Sequence, residues 1–141
     1  MSESLQWRPI RVFDLGQTLR SKALGELRVG GPVVQVETSL GPPEHPRSRI
    51  GRSRVWELQY GNVSVLISTQ VIAGINIDFH CNRVEIVRSG PFEHWRTHEW
   101  ERYAIDEGLV LVRKYEVITL KGDGLSIGLT SVGQLEIVSL F

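Results

Sequence analysis

The sequence has little sulfur, no charge imbalance and no long apolar run. It holds one cysteine, Cys81, and one methionine. A single thiol forms no internal disulfide, so this is not a disulfide scaffold. Sixteen basic side chains meet sixteen acidic ones. A generic nucleic-acid binder usually carries a basic excess, and a disordered tail carries net charge of one sign, so both are disfavoured. No stretch approaches the roughly 18 consecutive apolar residues of a membrane-spanning helix. Residues 1–11 include Glu3, Arg8 and Arg11 and lack an apolar h-region. No secretory signal or membrane association is therefore expected, and the expected location is cytoplasmic. What remains is ordinary for a globular domain: 141 residues, 41% hydrophobic and 23% charged. That length fits a single domain over residues 1–141.

The neutral total hides a split. Residues 1–70 hold nine basic and six acidic groups, whereas residues 71–141 hold seven and ten, so the halves carry +3 and −3. Residues 47–54 contain Arg47, Arg49, Arg52 and Arg54 and no acid. Residues 93–107 contain Glu93, Glu99, Glu101, Asp106 and Glu107 against Arg96 and Arg102.

Periodicity predicts the elements. Leu15, Leu19, Ala23, Leu24 and Leu27 form one apolar stripe, so Asp14 to Arg28 reads as a helix with Asp14 as N-cap. A short helix from Pro32 to Leu40 would stop at Gly41-Pro42-Pro43, although Val33-Val34-Gln35-Val36 also suits a strand. Residues 42–52 read as an exposed loop. Trp56, Leu58 and Tyr60 alternate, Gly61-Asn62 signals a hairpin, and Val63, Val65 and Ile67 follow. Thr69-Gln70 turns the chain into a strand with Ile75, Ile77 and Phe79 on one face, which Asn82 to Arg88 extends or follows. Phe92 to Glu107 reads as an amphipathic helix stopped by Gly108. Leu109 to Leu120, Leu125 to Thr130 and Gln134 to Phe141 read as strands. Tight turns rather than helices join the strands. The expected class is therefore α+β, with two helix-plus-antiparallel-meander modules. Their order is ααβββ over residues 1–88 and αβββ over 89–141, with the helices on one side of the sheet.

Chemistry is sparse. His94 and His98 stand four apart, a spacing that puts both rings on one side of a helix and can bind a transition metal with a third ligand such as His80 or Asp78. The zincin order requires Glu directly after the first His; here Glu99 follows the second. Asp78-Phe79-His80-Cys81 brings nucleophile and base residue types together, but neighbours on a strand point to opposite faces. No Walker loop, Gly-x-Ser-x-Gly elbow or dinucleotide fingerprint is present. The expectation is a non-enzyme without metal or cofactor. The candidate partner-binding residues are the arginines 47, 49, 52 and 54, and a helical set of Glu93, Trp95, Glu99, Trp100, Glu101 and Asp106. Arginine pairs carboxylates or phosphates bidentately, so the loop could meet an acidic protein surface or RNA, and tryptophan dominates interface hot spots. The expected partner is another protein or a second copy of the chain.

Leu40-Gly41-Pro42-Pro43-Glu44, followed by Trp56 to Val65 and then Gly74-Ile75-Asn76-Ile77-Asp78, resembles a group of small bacterial proteins. In these a Leu-Gly-Pro-Pro helix stop precedes a Tyr-Gly hairpin and an Ile-x-Ile-Asp strand. The helix–helix–meander order is also similar to the BamE/SmpA-type fold. Domains of this kind recur among immunity proteins of bacterial polymorphic toxin systems. The resemblance covers residues 32–80 and implies an inhibitor that covers a toxin's active site. It supplies no catalytic residue.

Overall fold

Asp14 places its carboxylate 3.3 Å from the backbone N–H of Gln17, and the first helix begins there. The computed structural model describes residues 7–141. Phe13–Asp14 forms a short strand β1, and helix α1 covers Leu15–Ser21. The expected helix to Arg28 stops early because Lys22 turns left-handed, at φ 52°. Leu24 and Leu27 then exchange backbone hydrogen bonds of 2.9 and 3.0 Å across a tight turn. Both leucines stay fully buried, so the apolar spacing reported burial correctly while the backbone took another path. Helix α2, Val34–Leu40, ends at Gly41 as expected, and Val36 and Leu40 face inward.

Strand β2 (Ser48–Arg49) is followed by β3 (Trp56–Tyr60), β4 (Val63–Ser68) and β5 (Val71–Asp78). Of the stretch Asn82 to Arg88, only Val87–Arg88 is a strand, β6, and it pairs in parallel with β1. A 3₁₀ turn at Gly90–His94 precedes α3, Thr97–Glu107. The single helix expected from Phe92 is thus broken at Trp95 and Arg96, both extended. Pro91 opens the first turn, and Glu99 reaches back to accept the Arg96 N–H at 2.8 Å, starting the second. The remaining strands are β7 (Val110–Lys114), β8 (Val117–Gly122), β9 (Leu125–Leu129) and β10 (Leu135–Leu140). The stretch Leu109 to Leu120, read as one strand, is a hairpin turning at Tyr115-Glu116. That pair contains none of the residues that usually mark a turn, and Tyr115 takes φ 58°.

The class is α+β. Eight strands form one antiparallel sheet in the order β2-β3-β4-β5-β10-β9-β8-β7. Each expected module thus gives this sheet four strands rather than three, and residues 1–88 also hold β1 and β6, which pair in a separate two-stranded sheet. The last strands of the two meanders join them, with Asn76 opposite Ser139 and Ile77 opposite Val138. One face of this sheet is apolar. Val63, Val65, Ile75, Ile77, Leu120, Ile127, Leu129, Val138 and Leu140 share a single core with Leu15, Leu19, Val36, Leu40, Trp100 and Ala104 of the helices. The other face carries a transverse row of small polar side chains: Ser64, Asn76, Ser139 and Ser126 stand opposite one another across four strands. A bulge between Leu135 and Ile137 turns Ile137 outward, while Leu135, Val138 and Leu140 face the core.

Candidate functional site: an arginine-bearing sheet edge

The loop that carries the arginines is fastened at both ends. On its entry side, Gly41 offers its carbonyl to the Tyr60 hydroxyl at 2.9 Å, and Pro42 offers its carbonyl to the Trp7 indole N–H at 2.9 Å. Burial and the Glu37 carboxylate hold the Tyr60 phenol well above its ordinary pKa, so it stays a donor. The backbone N–H of Glu44 donates to Gln59 O at 3.0 Å. The Glu44 carboxylate accepts the Gly61 N–H at 2.6 Å and pairs with Arg83 at 3.3 Å. The Leu-Gly-Pro-Pro-Glu segment and the Tyr-Gly hairpin, which share a sequence pattern, are thus bonded to each other.

On its exit side, Trp56 begins β3 and stands opposite Arg49. The Arg47 guanidinium lies 4.9 Å from the centre of the Trp56 ring, a cation–π contact that limits where its charge points. Arg47, Arg49, Arg52 and Arg54 are all exposed. Among the described residues no carboxylate pairs with any of them; the ion pairs of the molecule involve Arg11, Arg83, Arg113 and His80. Beside the loop runs a groove between α2 and β3, about 370 Å³, lined by Val33, Val34, Glu37, Thr38, Arg47 and Leu58. The edge therefore offers four guanidinium groups next to a partly apolar trough.

The second candidate set is rearranged by the fold. Trp100 is fully buried, so its reading as a partner contact is corrected: it is core. Its ring stacks on Phe92 at 5.6 Å, and its neighbours Trp95 and Tyr103 meet it edge-on at 4.8 and 5.7 Å. Trp95 is half-buried in the same cluster. The pattern of aromatic residues at helical spacing signals a packed face equally well, and here packing takes it. The acids are partly committed. Glu99 caps α3, and Glu101 pairs with Arg113 at 3.1 Å. Glu93, Asp106 and Glu107 remain exposed.

The other constellations do not assemble. His94 ends the 3₁₀ turn and His98 lies in α3, across the extended break, so the four-residue helical spacing is lost. Among the described residues no group of three or more His, Cys, Asp or Glu side chains is arranged to hold a metal ion. Asp78 ends β5, and its carboxylate accepts the His80 N–H at 2.8 Å, starting a turn rather than continuing a strand. The Cys81 thiol points to the Asp78 carbonyl at 3.6 Å, and the His80 ring sits 3.9 Å from Glu136. No histidine therefore orients the thiol as a nucleophile.

The arginines sit on and beside β2, at one end of the sheet, whereas α3 starts against the β9–β10 turn, where the Thr97 N–H donates to Val132 O at 3.3 Å, and leads into β7 at the other end. Among the described residues no ion pair joins the two charged segments. Among the described residues no helix is long and apolar enough to cross a membrane. Comparison with protein families, curated proteins and solved structures gave no match.

Proposed function

We propose that this chain is a protein-binding domain, not an enzyme, and that its arginine-bearing edge receives an acidic surface of another protein. The observation that carries the reading is the set of four exposed guanidinium groups, without carboxylate partners among the described residues, held on a loop bonded at both ends. A loop fixed in advance loses less conformational freedom on binding, which raises affinity without new contacts. The groove beside it suits an apolar side chain of the partner flanked by carboxylates. The chain as a whole balances sixteen basic against sixteen acidic side chains, without the basic excess usual for a nucleic-acid binder, which favours protein over nucleic acid. The arginine edge is favoured over α3 because two of the acids around α3 already have partners.

The resemblance to immunity proteins supplies a kind of partner: a toxin whose active site the domain covers. Co-expression with toxin genes that neighbour this one tests that form of the reading. Protection by the wild-type chain, lost when the four arginines become serine, supports it; protection unchanged by those substitutions contradicts it.

The broader reading is tested by affinity purification from the native cells with the wild-type chain and the Arg47→Ser, Arg49→Ser, Arg52→Ser, Arg54→Ser variant. An acidic protein should be retained by the first and not by the second. It should elute as salt rises from about 0.15 M to about 1 M, where the screening length falls from about 8 to about 3 Å. Retention of the same protein by both chains would overturn it.

A further inference from the structure

The two ends of the sheet are finished differently. At one end β2 is two residues long, flanked by Pro46 and Gly51 and surrounded by arginines, which are the usual means of blunting an edge. At the other end β7 is a five-residue strand without proline or bulge, and among the described residues only β8 pairs with it. Exposed apolar side chains lie on this edge: Val110 (63%) at the start of β7 and Tyr115 (93%) in the turn that ends it. Tyr115 also holds a left-handed backbone, an unfavourable conformation for an aromatic residue, while its ring extends into solvent.

We propose that two copies of the chain pair antiparallel through β7, with Val112 on the two-fold axis, so that the eight-stranded sheet is doubled. This inference is independent of the acidic partner at the other edge. Its occupant is a second copy because β7 has a register in which every residue pairs with its own strand and no like charges are opposed. With Val112 opposite its own counterpart, Val110 stands opposite Lys114 and Leu111 opposite Arg113. All five residues are then paired, and no like charges face each other. Centring the pair on Arg113 instead would oppose two guanidinium groups, an arrangement that weakens a strand pair. In the Val112 register Tyr115 comes opposite Leu109, which is half-buried in the single copy. The chain already contains one joint of this type, where β5 and β10 close the two meanders antiparallel. An edge-to-edge pair about a two-fold axis keeps both helical layers on the same side and leaves the arginine edges at the two far ends.

Analytical ultracentrifugation over a concentration series tests the proposal. The wild-type chain should sediment as a dimer that dissociates on dilution. Val110→Lys with Val112→Lys sets lysine opposite lysine at three positions. At up to about fivefold per like-charged pair, dimer affinity should fall on the order of a hundredfold. Val112→Lys and Val112→Glu should each weaken the dimer alone, and an equimolar mixture should restore it, which also shows that both variants are folded. A wild-type chain that stays monomeric at every concentration overturns the proposal. So does a dimer that the double lysine variant leaves intact, or a mixture no tighter than its components.

Discussion

The carboxylate of Glu44 accepts the backbone N–H of Gly61 at 2.6 Å, seventeen residues further along the chain. This bond closes the base of the arginine loop: Glu44 stands just before it, and Gly61 directly follows β3, the strand after it. Replacing Glu44 with alanine removes the acceptor of a backbone N–H that sits in buried surroundings, and the Arg83 ion pair with it. A loss of about 1–3 kcal/mol is expected, most of it from the unsatisfied amide. Urea unfolding of the Glu44→Ala variant measures it. Arg83→Ala, which removes only a partly exposed ion pair, should cost less than about 1 kcal/mol.

Asn62 is expected to be more sensitive. It is almost fully buried, its side-chain oxygen accepts the N–H groups of Ile86 (2.8 Å) and Val87 (3.3 Å), and its amide donates to Val87 O at 3.1 Å. These bonds hold the segment that becomes β6. Asn62→Ala leaves three backbone groups without partners, and a loss of about 3 kcal/mol or more is expected in denaturant unfolding. Gly61→Ala should also destabilise, because Gly61 has φ 56° and a Cβ there would collide with the Val84 carbonyl.

Acid should weaken one clamp on the other side of α2. Hydrogen bonds from Arg11 and Ser39 hold the Glu26 carboxyl at about 2, below its ordinary 4.5. The folded value is the lower one, so the contribution is fully present above about pH 4.5 and is lost as pH falls toward 2. Glu26 is more than half exposed, so the contribution stays below about 1 kcal/mol. The stability difference between the wild-type chain and Arg11→Met should be constant from pH 7 to about 5 and shrink toward pH 2. A difference that grows with acid would contradict the assignment.

Trp100 fills the centre of the aromatic cluster, and Trp100→Ala should cost about 3–5 kcal/mol. Thermal unfolding followed by circular dichroism will show whether the variant folds at all. The same substitution at a surface contact would leave the melting temperature nearly unchanged.

Much of this architecture was legible in the residues. The α+β class, α2 with its Gly41 stop, the Gly61-Asn62 hairpin and the Asp14 cap follow from spacing and turn chemistry. Three features were hidden for physical reasons. The turn at Tyr115-Glu116 uses residues that disfavour it, so β7 and β8 read as one strand. The bulge between Leu135 and Ile137 shifts the alternation by one residue. The early end of α1 leaves Leu24 and Leu27 buried, so the apolar pattern looked helical throughout. At the candidate site, the exposure of the arginines was legible from the three prolines before them and from the run of charge itself. The hydrogen bonds that anchor their loop were not, because they join segments distant in sequence. Trp100 shows the reverse: an aromatic on a helix reads equally as interface or core, and only the packing decides.

The most direct test of the arginine edge as a protein-binding surface is site-specific photo-crosslinking in the native cells, with the photoreactive residue placed at position 52. The account predicts a covalent adduct with an acidic protein, lost when Arg47, Arg49 and Arg54 are changed to serine in the same chain. An adduct with nucleic acid, or a protein adduct that survives the three substitutions, would contradict it.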